Sequence, residues 1–253
     1  MKQVSALVFD AYGTLFDVHT VATTAESIFP GKGQALSQLW RAKQLEYTWQ
    51  RSLMQRHVDF NRVTQDALRY ACDALKLAHH PAQAVQLVAA YRTLAPFPDA
   101  REALSQLTGK KKLAILSNGA PDMLNAVVAH NNMLSLFDAV LSVEDVGVFK
   151  PDPRVYTLAV TRLGVPVNEI GFVSSNCWDA AGAKAFGFTV FWINRAGAPV
   201  DRLGVTPDAV LTSLHECCGT GCIPCVMDIY EEELWQYEKD LKAWEAAQSA
   251  SVD

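Results

Sequence analysis

Val4–Thr14 reads VSALVFDAYGT, and this stretch decides the fold. Six residues rich in β-formers, Val4–Phe9, run straight into an aspartate and a glycine-containing turn. A short apolar run bounded at once by a turn is the pattern of a strand covered on both faces, as strands of a parallel sheet are. Working outward, the pattern recurs at Lys112–Leu116 (KLAIL), Ala139–Val143 (AVLSV), Ile170–Val173 (IGFV), Thr189–Ile193 (TVFWI) and, most faintly, Ala209–Leu211. Helical stretches lie between them, at Pro98–Leu107, Asp122–His130, Arg154–Leu163 and Trp178–Phe186. Strands that alternate with helices predict an α/β fold, a Rossmann-like parallel sheet with helices on both faces.

The stretch 18–97 breaks the alternation. It offers no strand, is helical in composition, and carries Trp40, Tyr47, Trp49, Phe60, Tyr70 and Tyr91. It is predicted to be a helical cap inserted after the first strand. The domains expected are therefore a catalytic core over 1–17 and 98–212, a cap over 18–97, and a tail over 213–253.

With 253 residues, half of them hydrophobic, the chain can bury a sizeable core. A net charge of −5 gives no basic face, which argues against nucleic acid as a partner. No run approaches the roughly 18 apolar residues of a membrane span, and Asp10 interrupts the N-terminal run before it could serve as a signal peptide. The expectation is a cytoplasmic protein.

Ligands of open α/β sheets bind beyond the carboxyl ends of the strands. Here Asp10 follows the first strand, and Ser117 and Asn118 follow KLAIL. Lys150 lies in FKPDP after AVLSV, and Ser174, Ser175, Asn176 and Asp179 follow IGFV. Any one of these alone would suit a cap or turn. Together, four loops deliver carboxylate, amide, hydroxyl and ammonium to one edge.

In order and context these loops resemble the haloacid dehalogenase superfamily over about residues 4–212. Most of its members are magnesium-dependent phosphatases with a D-x-D-x-T motif, whose second Asp is the general acid. Here the motif is Asp10-Ala11-Tyr12-Gly13-Thr14. A phenol cannot protonate a leaving alkoxide at neutral pH as a carboxylic acid would. The phosphatase G-D-x-x-x-D pattern becomes Ser174-Ser175, with only Asp179 remaining. Mg²⁺ usually takes one or two carboxylates plus phosphate oxygens, so these losses suit a monoanionic substrate and no metal or cofactor. DAYGTLFD, LWRAKQLEYTW, LSNGAPDML, VFKPDPRVY and FVSSNCWDAAGAKAFGF look like the L-2-haloacid dehalogenase branch.

That resemblance implies hydrolysis of short (S)-2-haloacids to (R)-2-hydroxyacids plus halide. Asp10 would attack C2 and form an ester on its own side chain, with Lys150 keeping it charged. Thr14 and Ser117 would orient the carboxylate. Arg41 and Asn118 would receive the halide, with Phe60 and Trp178 adding aromatic edges. Tyr12, Leu45 and Trp178 would wall the apolar pocket. Ser117 and backbone N–H groups of Ala11 and Tyr12 would hold the substrate carboxylate. Asp179 would activate water, directly or through Asn176 and Ser174, and Tyr156 would shape the site. The branch more typically has Gln after its cap arginine where Ala42 stands, which bears on substrate range. The resemblance also implies a homodimer whose partner molecule is otherwise only the small 2-haloacid.

The last segment departs from that pattern. Cys217, Cys218, Cys222 and Cys225 cluster in CCGTGCIPC, beside His215, and with VMDIYEEEL they resemble the short oxidoreductase-like motif. Four thiols so placed raise a metal or redox site as a speculative reading, set against a turn with oxidisable thiols. From Val226 on, eight acidic and two basic residues give −6, leaving +1 on the preceding chain. Tyr230, Leu234, Tyr237, Leu241 and Trp244 recur at helical spacing, predicting a narrow apolar stripe that packs on its own domain or on a second copy.

Overall fold

A computed structural model describes residues 4–78, 80–217, 235–237, 239–242 and 244. Six strands form one sheet: β1 (Ala6–Phe9), β2 (Lys112–Ser117), β3 (Ala139–Ser142), β4 (Ile170–Ser174), β5 (Thr189–Ile193) and β6 (Ala209–Leu211). Their order is β3-β2-β1-β4-β5-β6, and every neighbouring pair is parallel. The strands of the centre are apolar and buried from end to end, as in ALVF of β1 and IGFVS of β4.

The connections go outward from β1 through β2 to β3, then return to the other side at β4. Such a reversal leaves a crevice at the strand ends where the two directions part. It falls between β1 and β4, whose register pairs Phe9 with Val173. The next residue of each strand, Asp10 and Ser174, therefore meets at that crevice.

Four helices follow β1: α1 (Thr20–Ile28), α2 (Gly33–Leu53), α3 (Phe60–Ala74) and α4 (Pro81–Ala89), then a 3₁₀ turn at Ala90–Arg92. No strand occurs in this stretch among the described residues. It is organised by a buried polar chain between α2 and α3. The Trp40 indole donates to Thr64 O at 2.8 Å, Gln44 donates to Thr64 Oγ1 at 3.0 Å, and Tyr91 donates to Gln44 Oε1 at 3.0 Å. Each of these groups would cost about 1–3 kcal/mol if buried without a partner. Cross-links tie the stretch to the sheet edge: His57 Nε2 to Glu144 Oε2 at 2.8 Å, Asn61 to Asp122 at 2.9 Å, and Phe149 N–H to Ser52 Oγ at 3.1 Å.

The remaining helices are α5 (Ala100–Leu107), α6 (Pro121–His130), α7 (Pro153–Leu163) and α8 (Cys177–Phe186). α5 starts two residues later than Pro98, and Asp99 at its N-cap position makes no side-chain cap. The Asp99 carboxylate instead holds Arg195 at 2.6 and 3.0 Å and the Leu214 N–H at 2.8 Å. β3 stops at Ser142, whose hydroxyl accepts the Glu144 N–H and opens a 3₁₀ turn where the sequence pattern had continued the strand.

The tail departs from one of its two expected packings. Tyr237, Leu241 and Trp244 are 63%, 39% and 61% exposed, so at these residues the stripe does not lie against its own domain. Tyr230, Leu234, Cys218, Cys222 and Cys225 lie outside the described residues, as does the side chain of Cys217. No helix of the described residues is long and apolar enough to cross a membrane.

Candidate active site

The site begins with the turn that follows β1. Asp10 N–H donates to Val173 O at 2.9 Å, which fixes the aspartate at the mouth of the crevice. The chain then reverses through Gly13, whose φ of +92° favours glycine. The Ala11 carbonyl closes the turn by accepting from Leu15 and Phe16 N–H, both at 3.0 Å. This returns Thr14 to the carboxylate, and its hydroxyl donates to Asp10 Oδ2 at 3.3 Å. Thr14 Oγ1 also accepts the Ser175 N–H at 2.8 Å, so the β1 and β4 loops brace each other. Among the described residues no hydrogen bond takes the N–H of Ala11 or Tyr12, which leaves both donors for a ligand.

The β4 loop supplies the second carboxylate. Asn176 is the N-cap of α8 but does not cap it with its side chain. Its amide donates to Asp10 Oδ2 at 2.8 Å instead. Asp179 stands in the first turn of α8, where the helix dipole favours negative charge. It is completely buried and accepts from Tyr156 OH at 2.8 Å and Ser174 Oγ at 3.2 Å. The close approach of Tyr156 requires Gly182: a Cβ there would stand 2.5 Å from the phenol oxygen.

Lys150 joins the two carboxylates. Its ammonium lies 3.2 Å from Asp10 Oδ1 and 2.8 Å from Asp179 Oδ2, and 5.0 Å from the Phe172 ring centroid. Only 1% of Lys150 is exposed. Burial pushes its pKa down, but the charges of Asp10 and Asp179 outweigh this and hold it above the usual lysine value. For Asp179 burial dominates, and Asp10 adds repulsion; Lys150 and Tyr156 pull the other way, and the carboxyl ends raised, at about 6. Burial likewise raises the Tyr156 phenol well above its ordinary value, with Asp179 adding to it. Tyr156 is therefore a permanent donor at neutral pH.

Opposite this charged floor lies an apolar roof. Asp10, Tyr12, Arg41, Leu45, Phe60, Ser117, Asn118, Lys150, Asn176 and Trp178 enclose a cavity of about 20 Å³, room for little more than one water. Tyr12 stacks on Phe60 at 6.3 Å and meets Tyr91 edge-on at 5.9 Å. The Lys150 N–H donates to Asn118 Oδ1 at 3.0 Å, so the amide N–H groups of Asn118 are the ones left for a ligand. Arg41, reaching in from α2, has no carboxylate partner among the described residues. A guanidinium facing a small cavity beside an amide donor is a receptor for an anion.

The cavity thus unites most of the residues singled out in the sequence, with differences. Ser117 does not hold Asp10. Its hydroxyl accepts the Gly119 N–H at 3.1 Å, because the tight turn after β2 must satisfy that donor, and its own proton is left for a ligand. Ala11 is fully buried and does not line the cavity; only its backbone N–H is available. Ser174, Tyr156 and Asp179 stand behind Lys150 rather than at the cavity wall. Ser175 and Trp49 were not singled out for a role. Ser175 donates to Gly13 O at 2.6 Å, and the Trp49 ring meets Trp178 edge-on at 5.4 Å. The signal for Trp49 was present in its spacing of eight from Arg41.

Comparison with known proteins bears on this geometry. The profile of the haloacid dehalogenase-like hydrolases matches residues 4–187. That of "Oxidoreductase-like protein, N-terminal" matches residues 207–247. An (S)-2-haloacid dehalogenase of Pseudomonas putida is 49% identical over 217 residues, 85% of this chain and 97% of that one. One of Xanthobacter autotrophicus is 50% identical over 192 residues, 76% of each. A crystal structure of an L-2-haloacid dehalogenase superposes with a TM-score of 0.84 at 47% identity, covering 86% of this chain and 98% of the other. Another, from Xanthobacter autotrophicus with chloropropionic acid covalently bound, gives 0.80 at 42% identity, covering 85% and 97%. With a profile over most of its length and relatives near half identity, this chain belongs to the haloacid dehalogenase-like hydrolase family.

Proposed function

We propose that the protein hydrolyses short (S)-2-haloacids to (R)-2-hydroxyacids and halide, with Asp10 as nucleophile and no metal. The observation that carries this is the buried Lys150 ammonium bonded to both Asp10 and Asp179. A divalent ion acting at this crevice would need those same two carboxylates, and a lysine fixed between them fills that role with one positive charge. The Ser174-Ser175 pair adds no further carboxylate. Relatives near half identity that act on (S)-2-haloacids support the same substrate class.

The chemistry follows from the two faces of the cavity. Asp10 Oδ2 is held by two donors, Asn176 and Thr14, which leaves Oδ1, with its single contact to Lys150, as the attacking oxygen. Oδ1 displaces the halogen in line from C2. The C–halogen bond breaks with its electron pair, and the new C–O bond forms with inversion. Arg41 and the Asn118 amide receive the halide, because donors must stand where charge develops. Ser117 and the free N–H groups of Ala11 and Tyr12 hold the substrate carboxylate. Leu45, Phe60 and Trp178 exclude bulk water, which strengthens these interactions.

Water then adds to Cγ of Asp10, and the hydroxyacid leaves with the former aspartate oxygen. Asp179 takes one proton from that water and passes it to the departing alkoxide oxygen, and the other proton of the water leaves Asp10 to solvent, which restores its carboxylate. The contacts of 3.2 and 2.8 Å on either side of Lys150 Nζ bring the two carboxylates within reach of one bridging water. Ester cleavage leaves C2 untouched, so the single inversion sets the product configuration.

Halide release from (S)-2-chloropropionate in EDTA tests this. The unmodified protein should release chloride and (R)-lactate, and Asp10→Asn should release neither. Magnesium-dependent phosphate release with no chloride would contradict the proposal, as would (S)-lactate as product.

A further inference from the structure

Helix α2 carries Arg41, Leu45, Trp49 and Leu53 at steps of four. Residues so spaced lie along one face, about 6 Å apart per step. Arg41 and Leu45 line the small closed cavity above Asp10. Trp49 and Leu53 line a second chamber of about 710 Å³, open to solvent and walled also by Phe149, Pro151 and Leu203. Lys150 and Trp178 border both spaces, so the chamber lies directly behind the wall of the reacting cavity.

The partition between the two is the Trp49–Trp178 pair, edge-to-face at 5.4 Å. Both indole Nε1 atoms are buried and make no hydrogen bond. Ring contact alone therefore fixes the pair, and turning either ring breaks no hydrogen bond. The cavity beside Asp10, at about 20 Å³, must widen for any 2-haloacid and offers no room for a long alkyl chain. An apolar chamber one ring away does.

We infer that this chamber is the subsite for the alkyl chain of longer 2-haloacids, and that Trp49 sets the chain-length limit. The inference rests on the dehalogenase reading above. A 2-substituent leaves C2 on the Leu45 and Trp178 side, and extension along the α2 stripe brings it to Trp49. Each methylene passed into the chamber is worth roughly fourfold in kcat/KM once the partition yields. Trp49 touches no reacting atom; it acts on specificity alone.

Bromide release from (S)-2-bromopropionate and (S)-2-bromohexanoate tests the assignment in the full-length protein, Trp49→Phe, Trp49→Ala and Leu203→Glu. The hexanoate-to-propionate ratio of kcat/KM should rise at least about tenfold in Trp49→Ala, with Trp49→Phe between it and the unmodified protein. Leu203 is exposed, so Leu203→Glu should keep the fold and the turnover of 2-bromopropionate. It should lower only the hexanoate rate, by placing a carboxylate where the chain ends. An unchanged ratio in all three variants, with 2-bromopropionate still consumed, overturns the inference. So does a dimer that Leu53→Glu splits with no change in the ratio, because the chamber would then seat a second copy. Failure of the unmodified protein to consume 2-bromopropionate would sink the dehalogenase reading itself, and this inference with it.

Discussion

The floor and the roof of the cavity are built on opposite principles. On the floor both carboxylates are held by several donors: Asp10 accepts from Thr14, Asn176 and Lys150, and Asp179 from Lys150, Tyr156 and Ser174. On the roof polar groups are left over. Among the described residues Arg41 lacks a carboxylate partner, and Tyr12 OH and Trp178 Nε1 are buried without a hydrogen bond. A satisfied network holds reacting atoms in place at little cost on reaction. An unsatisfied one is poised to gain partners when substrate and halide arrive. The floor is preorganised for bond making, and the roof for binding and for choosing what binds.

Substitution should separate the two. Lys150→Met should have the largest effect, lowering kcat about 10³-fold or more. It should also lower stability by about 3 kcal/mol, because it leaves two buried carboxylates unpaired. Rates and chemical denaturation measured together would show both losses. Arg41→Ala should lower kcat/KM for (S)-2-chloropropionate about 10²-fold while the melting midpoint holds, since the guanidinium supports no described structural bond. A melting loss in Arg41→Ala, or none in Lys150→Met, would break the comparison.

The next effect is in pH dependence. Asp179 acts as base only when ionised, and its pKa is raised to about 6. In the ester Asp10 has lost the charge that adds to this rise, while Lys150 still opposes it, so decay of the ester in single turnover should slow only as pH falls below about 6. The hydrogen bond from Tyr156 opposes that rise, so Tyr156→Phe should move the acid limb to higher pH. A limb that stays in place would show that Asp179 is not the titrating group. The smallest effect belongs to Leu45→Ala, which should change KM for 2-chloropropionate by about threefold to tenfold and leave kcat within about twofold. A comparable fall in kcat would show that the roof positions reacting atoms as well as substrate.

How legible each half was in the sequence follows from the same contrast. The floor stands on strand ends, and strands announce themselves as short apolar runs closed by turns. Asp10, Lys150 and Asp179 could be placed on one edge before any geometry was known. All six strands fall where the runs lie, with ends shifted by a residue or two at Ser5, Ser117, Val143 and Ser174. The partner of Ser117 was not legible. It depended on the Gly119 N–H needing an acceptor in a turn whose conformation the residue types do not dictate. The roof was harder still. Tyr12, Leu45, Phe60 and Trp178 came from the likeness to relatives, because an aromatic on a helix is as ready to pack a core as to face a ligand. Trp49, named only among the aromatics of the cap, was given no role for that reason. Of the tail stripe, Tyr237, Leu241 and Trp244 are helical as their spacing predicts, but that spacing did not show that they would be left exposed.

The central claim is that the carboxylate of Asp10, and not a water molecule, makes the new bond to carbon. It is tested by one turnover in H₂¹⁸O with enzyme in excess over (S)-2-chloropropionate, followed by mass analysis of product and of the Asp10 peptide. The ester route predicts unlabelled (R)-lactate and one ¹⁸O in the Asp10 side chain. Labelled lactate with an unlabelled aspartate would mean that water attacked C2 directly, and would contradict it.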